Sequence, residues 1–296
     1  MKTQTKACLY ALATAFLWST IATAFKLALD QMDSWQLLFW STSTSLLLLA
    51  SITIISRQTI QTIRSACQHP FHFLWLGLLN PLLYHLVLFS AYERLPAQQA
   101  QAINYSWPVM MTLLAIPFLK QTLTLRSLLC CLTAYAGVLV ICFQSNVTSF
   151  QFNSLSGVIL ALASTVIWAM YWIINVRKSG NVLNNLFLCF LFGYPFVVLA
   201  TCRFSTVWPI SPEGLSAAIY IGCIEMGFAY VLWIKALKLT THTAIINNIS
   251  YLSPFLSLLF IHFVLGEDIL PSTYMGLLLI ISAIIIQQKK RKHAKE

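Results

Sequence analysis

The sequence predicts an all-α integral membrane protein: ten transmembrane helices forming two inverted five-helix repeats. Three observations carry that expectation. The 296 residues are 58% apolar and only 9% charged, against about 25% charged in ordinary soluble domains. Apolar runs of roughly 20 residues, the length a bilayer requires, recur along the whole chain and leave no stretch polar enough for a separate soluble domain. The second half of the chain also repeats motifs of the first.

Apolar runs between polar punctuation predict helices over 7–29, 34–55, 71–92, 97–118, 124–143, 154–176, 183–203, 213–236, 243–265 and 270–288, with 57–70 as the longest connection. The first run, Cys8 to Leu29, follows Lys2 and Lys6 but is too long for a signal h-region and lacks a small-residue cleavage pattern. It reads as a retained span.

Charge placement tests the count. With the N-terminus inside and the chain alternating, the inner ends receive Lys2, Lys6, Arg57, Arg64, Lys120, Arg126, Arg177, Lys178, Lys235, Lys238 and the basic tail 289–296. The outer ends receive Arg94, Arg203 and the nearby Lys26, together with the acids Asp30, Asp33, Glu93, Glu213, Glu267 and Asp268. A wrong count would scramble this sorting, so the positive-inside rule supports ten spans with both termini cytoplasmic. The net charge of +10 therefore reflects membrane orientation rather than a nucleic-acid partner. The eight cysteines are scattered, with no CxxC and no His/Cys cluster. They read as small hydrophobes within apolar runs, so neither a metal nor a cofactor is expected.

The repeat is visible in short motifs. ALATAFLWS (11–19) matches ALASTVIWA (161–169), aligning Trp18 with Trp168; Gly77 pairs with Gly222; INYSWP (103–108) pairs with ISYLSP (249–254), aligning Tyr105 with Tyr251 and Pro108 with Pro254. The offset is close to half the chain each time. It divides the protein into 1–146 and 150–290. Five spans per half is an odd number, so the second copy enters the membrane upside down. Inverted repeats of this kind place substrate sites at their interface near the midplane.

One predicted span is unusual for lipid. Residues 97–117 carry Gln98, Gln99, Gln101, Asn104, Tyr105, Trp107, Pro108 and Pro117. Lipid offers these polar groups no partners, so they should face protein or a polar cavity. At about 100° per residue, Gln101, Asn104, Tyr105, Pro108 and Met111 share one side.

FLWST (16–20), INYSWP, IWAMYW (167–172), GFAYVLW (227–233) and SYLSP (250–254) together resemble the EamA branch of the drug/metabolite transporter superfamily, and within it the YddG-type bacterial exporters of aromatic and other amino acids. The resemblance runs through essentially the full chain. It implies a bacterial inner-membrane transporter whose partners are a small-molecule substrate, the lipid bilayer and, in some cases, protons. It implies a central cavity built from helices one, three, four, six, eight and nine. One departure is Leu119-Lys120-Gln121, where family members often have Glu near the end of helix four; the second half keeps acids there, in Gly266-Glu267-Asp268.

Glu225, in IGCIEMGFAYVLW, is the one acid expected deep in the membrane. An isolated carboxylate there costs roughly 3 kcal/mol, so it must be protonated or paired. It can bind a substrate ammonium, carry a coupled proton, or serve as a structural hydrogen-bond donor. His85 is a candidate relay partner, with a neutral structural histidine as the alternative; His262 favours the structural role. Trp18, Tyr84, Tyr105, Trp168, Tyr171, Tyr230 and Tyr251 are candidate cavity walls, with packing or an interfacial aromatic belt as the alternative. Asn104 and Asn247 would add polar contacts. Pro108 and Pro254 each free a carbonyl one turn earlier and can act as gate hinges or as static kinks. Lys26 reads as a snorkelling side chain.

The expected activity is export of amino acids or similar metabolites by alternating access. Uptake of S-adenosylmethionine or another nucleoside-like metabolite is the alternative within the fold. An enzyme is not expected, because no HExxH, GxSxG or clustered acids occur.

Overall fold

The computed structural model describes residues 3–119, 125–143, 154–176, 181–240 and 243–289, and these residues form helices and connections with no β-strand. In chain order the helices are α1 (Thr3–Leu29), α2 (Ser34–Ile55), α3 (Thr59–Gln68), α4 (Pro70–Arg94), α5 (Ala97–Asn104), α6 (Trp107–Leu119), α7 (Leu125–Phe143), α8 (Leu155–Val176), α9 (Val182–Phe204), α10 (Pro212–Leu239), α11 (Thr243–Ser250), α12 (Leu252–Leu265) and α13 (Pro271–Lys289). Six of them, α1, α2, α4, α8, α9 and α10, are long and apolar enough to cross a bilayer, and shorter apolar stretches run through 128–141, α12 and 271–286.

Two departures from the expected helices have clear physical causes. The stretch expected as one helix over 97–118 is two, broken at Tyr105 and Ser106, and the stretch expected over 243–265 breaks at Tyr251. Each break lies three residues before a proline, Pro108 or Pro254. Proline lacks the N–H that residue i−4 would accept and its ring crowds that carbonyl, so the preceding turn opens. The second departure is α3, within a segment expected as a connection. It is short, with Ile60 and Ile63 exposed and only Thr62 buried. An amphipathic helix of this length gives no apolar run.

Two long helices also change winding in mid-course. Ile224–Phe228 of α10 is π-helical, and at the corresponding place in α4, Leu78–Leu83, two helical stretches meet at a kink. The kink contains Asn80, whose extended backbone (φ −146°, ψ 113°) precedes a cis peptide to Pro81.

The packing maps onto itself when the halves are exchanged. α1 packs on α10 as α8 packs on α4; α2 packs on α10 as α9 packs on α4; α1 meets α12 as α8 meets α6; α2 meets α9, and α7 meets α13. Small residues let the backbones touch at these crossings. A Cβ on Gly193 of α9 would lie 2.6 Å from the Gly77 carbonyl of α4, and one on Gly137 of α7 would lie 2.6 Å from the Gly276 carbonyl of α13. Such contacts take the place of hydrophobic driving force, which lipid does not supply between helices.

The acid-bearing ends are tied by side chains. Asp33 accepts from the Trp35 and Gln36 amides at 2.8 and 2.9 Å, while Glu93 accepts from the Ser34 amide at 2.8 Å. Glu267, from the second half, accepts from the Ala97 amide at 2.8 Å and so caps α5 of the first half. Gln98 accepts from Thr273 at 2.7 Å and donates to the Asp268 carbonyl at 2.9 Å. Carboxylates at helix N-termini satisfy orphan amides and oppose the helix dipole favourably.

A candidate substrate cavity

Between the two halves lies a cavity of about 220 Å³. Its walls come from α1, α4, α5, α6, α8, α10 and the breaks between α5 and α6 and between α11 and α12. On α4 the lining residues are Tyr84, Leu88 and Tyr92, a stripe at four-residue spacing. On α8 they are Trp168 and Trp172. α1 contributes Trp18, Ile21, Ala22 and Phe25; α10 contributes Glu225, Tyr230 and Trp233.

The aromatic side chains form a connected frame. Tyr84 stacks on Trp168 with ring centroids 4.4 Å apart, and Trp168 meets Tyr230 edge-on at 6.2 Å. Trp18 lies 6.3 Å from Tyr230 and 5.4 Å from Trp233. Rings that hold one another in offset and edge-to-face geometry stay rigid while presenting their faces to a ligand.

Glu225 opens the π segment of α10, near the middle of that 28-residue helix, and lines the cavity. It lies within electrostatic reach of Tyr84, Tyr92, Tyr105 and Tyr230. Among the described residues no basic side chain forms an ion pair with it, the one ion pair being Arg94 with Glu93. A π turn displaces the helix register by about one residue and is frequent at functional sites. Here it carries the single acid of the cavity wall.

The breaks contribute polar edges. Gln101, Asn104, Tyr105, Trp107 and Pro108 line the cavity from the α5–α6 break, and Ser250 and Tyr251 from the α11–α12 break. Met111, expected on the same face, is not among the lining residues. The Asn104 amide donates to Ser164 of α8 at 2.9 Å, and the Tyr105 hydroxyl donates to Ser253 at 2.9 Å. Those bonds fix both side chains against the opposite half. Gln101 Oε1 and Trp172 Nε1 are buried with no hydrogen-bond partner.

Two residues expected on the wall, His85 and Tyr171, lie elsewhere. His85 is 1% exposed and off the cavity wall; its Nδ1 donates to the Pro81 carbonyl at 3.2 Å, and its ring packs between Tyr84 and Phe89. It follows Tyr84 by one residue, about 100° round the helix, so the two cannot share a face. Tyr171 lines instead a second, largely apolar chamber with Trp172, Asn175, Tyr230, Trp233 and Lys238. Pro254 is buried behind the break it causes. The side chain of Asn247 lies outside the described residues. Ile21, Ala22, Phe25, Leu88 and Ser250 were not expected; the four-residue stripe from Tyr84 to Tyr92 is the pattern that would have found Leu88.

Comparison with known proteins agrees with this architecture. The profile of the EamA-like transporter family matches twice, over residues 5–143 and 155–287. The chain belongs to the EamA-like transporter family. It is thus a membrane transporter of a two-repeat fold, whose relatives are likewise transporters. This EamA-like transporter is 26% identical to the aromatic amino acid exporter YddG of Ancylobacter novellus over 60% of its own length, and the match spans 61% of the exporter. It is 25% identical to the transporter YvbV of Bacillus subtilis, covering 74% of this chain and 72% of that one. A transporter of Archaeoglobus fulgidus is 21% identical, over 94% of this chain and 96% of that one. One solved crystal structure superposes with a TM-score of 0.66 at 21% identity, covering 99% of both chains, and shares the fold.

Proposed function

We propose that this EamA-like transporter moves amphipathic small molecules bearing an amino group across the bacterial inner membrane, amino acids being the first class to test, in the direction of export and by alternating access. The observation that carries the reading is Glu225, an acid without a basic partner, set in a frame of aromatic rings at the interface of the two halves. Rings supply apolar area and cation–π attraction, and the carboxylate supplies a countercharge for an ammonium or a site for a coupled proton.

Ten spans in two inverted repeats, dividing at 1–146 and 150–290, account for the exchange symmetry of the packing and for the sorting of charge. On that topology both termini and the basic tail are cytoplasmic. Glu225 is the proton-coupling candidate; His85, off the wall, is not needed for it. The breaks before Pro108 and Pro254 are the natural places for the cavity to open and close.

Uptake of a labelled amino-acid panel into proteoliposomes, with and without a pH gradient, tests the reading. Saturable, gradient-dependent flux that is lost in Glu225→Gln is the expected result. Flux that never saturates would mean a channel instead. The same carboxylate and rings suit the sulfonium of S-adenosylmethionine, and competition by adenine compounds separates that substrate from amino acids.

A further inference from the structure

Resting on that reading of the cavity, we propose that it selects substrates of net positive charge, organic cations carrying an ammonium or other onium group beside an aromatic body, over the zwitterions of free amino acids.

Among the described residues, the one carboxylic acid on the wall is Glu225, and no Lys, Arg or His lines it. Gln101 is 4% exposed, and its Oε1 is buried at the wall without a donor. Pro108 adds to this: the residue whose carbonyl meets its nitrogen instead of a helical N–H is Asn104, four before it, and Asn104 lines the cavity.

The cations and helix amides that would receive a carboxylate are already used or off the wall, and the unpaired donor that remains there, Trp172 Nε1, is neutral. Lys26 follows Phe25 on α1, but it is off the wall and within electrostatic reach of Glu267, Asp30 and Glu93. A broken helix can offer the amides of its first turn to an anion. At the start of α6, however, Pro108 has no N–H, and the Val109 and Met110 amides already donate to the Ser106 carbonyl at 3.0 and 3.3 Å. Pro254 removes a donor at the matching position of α12. Lys238 lines the second chamber, beyond the rings of Trp172, Tyr230 and Trp233 that both chambers share.

A zwitterion entering this cavity finds a countercharge for its ammonium. Its carboxylate meets a like charge and, for a partner, a neutral indole N–H rather than a cation. Blocking the carboxylate, as in an ester or an amine lacking it, removes that mismatch without changing the aromatic body. Selectivity of this kind comes from the unpaired charge of the disfavoured ligand.

The test uses the full chain in proteoliposomes with the membrane potential clamped and protein-free vesicles subtracted. Saturable uptake is compared for tryptamine, tryptophan methyl ester, tryptophan and indole-3-propionate. The two cations are expected to be taken up with at least roughly tenfold higher affinity than tryptophan, and the propionate not at all. In Glu225→Gln, whose flux is expected to be lost, equilibrium binding to the purified variant should bring the amine and the amino acid to within about threefold of each other. Tryptophan carried as well as its methyl ester by the wild type would overturn the inference while leaving the transport reading intact. The wild-type comparison alone decides this, so it holds even if the variant misfolds. No saturable uptake of any compound by folded protein would instead overturn the transport reading, and the inference with it.

Discussion

The kink of α4 and the π segment of α10 occupy corresponding places in the two halves, yet they are different objects. In α10 the irregular turn presents Glu225 to the cavity. In α4 it holds Asn80 and Pro81 inside the protein, against α9. Asn80 lies beside the Tyr171 hydroxyl, but neither of its amide atoms reaches hydrogen-bonding geometry. The repeat thus supplies two equivalent weak points in a long helix. One has been given a charge facing the interface, and the other has been sealed. Inverted repeats fix where a site can form; the side chains at the seam decide which copy carries it.

Four substitutions would break or sharpen that contrast. The largest effect is expected where the sealed copy is held. Gly193→Leu forces a branched side chain against the α4 backbone at Gly77, where overpacking costs about 1–3 kcal/mol and rigid backbone cannot relax. Loss of the monodisperse peak in detergent on size exclusion is expected. Next comes Glu225→Gln, which keeps shape and removes charge. Flux should fall at least about tenfold, with the melting temperature unchanged in a dye-based assay. Trp168→Ala follows, since its ring contacts Tyr84, Tyr171, Trp172 and Tyr230. A lost stacking partner is worth about 1 kcal/mol, so the half-saturation concentration should rise about fivefold with the maximal rate less affected. The smallest change is expected for Asn80→Ala. Removing a buried amide without partners should leave stability within about 0.5 kcal/mol of wild type or raise it, measured by thermal unfolding. A large loss of flux in Asn80→Ala with an intact fold would show that the sealed copy also acts.

Much of the fold was legible because lipid imposes a coarse and strict rule. Ser34–Ile55 was readable to the residue, as an uncharged stretch between Asp33 and Arg57 long enough to cross a bilayer. The breaks at 105–106 and 251 were legible as prolines with polar neighbours, although not as full separations into two helices. The cavity wall was legible where aromatic residues coincided with repeat symmetry, as at Trp18, Trp168, Tyr105 and Tyr251. Errors arose where a helix was assumed to wind evenly. An even α4 puts Asn80, Tyr84, His85 and Tyr92 on one arc, whereas the extended turn at Asn80 removes that residue and His85 points away from the wall. The sequence signal for the α4 kink is Pro81, which an even winding passes over. Ala22 and Ser250 were missed because small residues matter to a cavity through the space they leave.

The glycine crossings described above have a mechanical meaning. Where Gly137 meets Gly276, and Gly77 meets Gly193, backbone rests on backbone with no side chain between them to slide or change rotamer. Such points act as fulcrums. The α5–α6 and α11–α12 segments carry a joint within their own length, and in that sense they are levers. In the proposed alternating access, the levers would move about these fulcrums and change the volume between the halves while the core of α2, α4, α9 and α10 keeps its shape. The machine and its frame are therefore made of the same helices, distinguished by where a side chain has been left out.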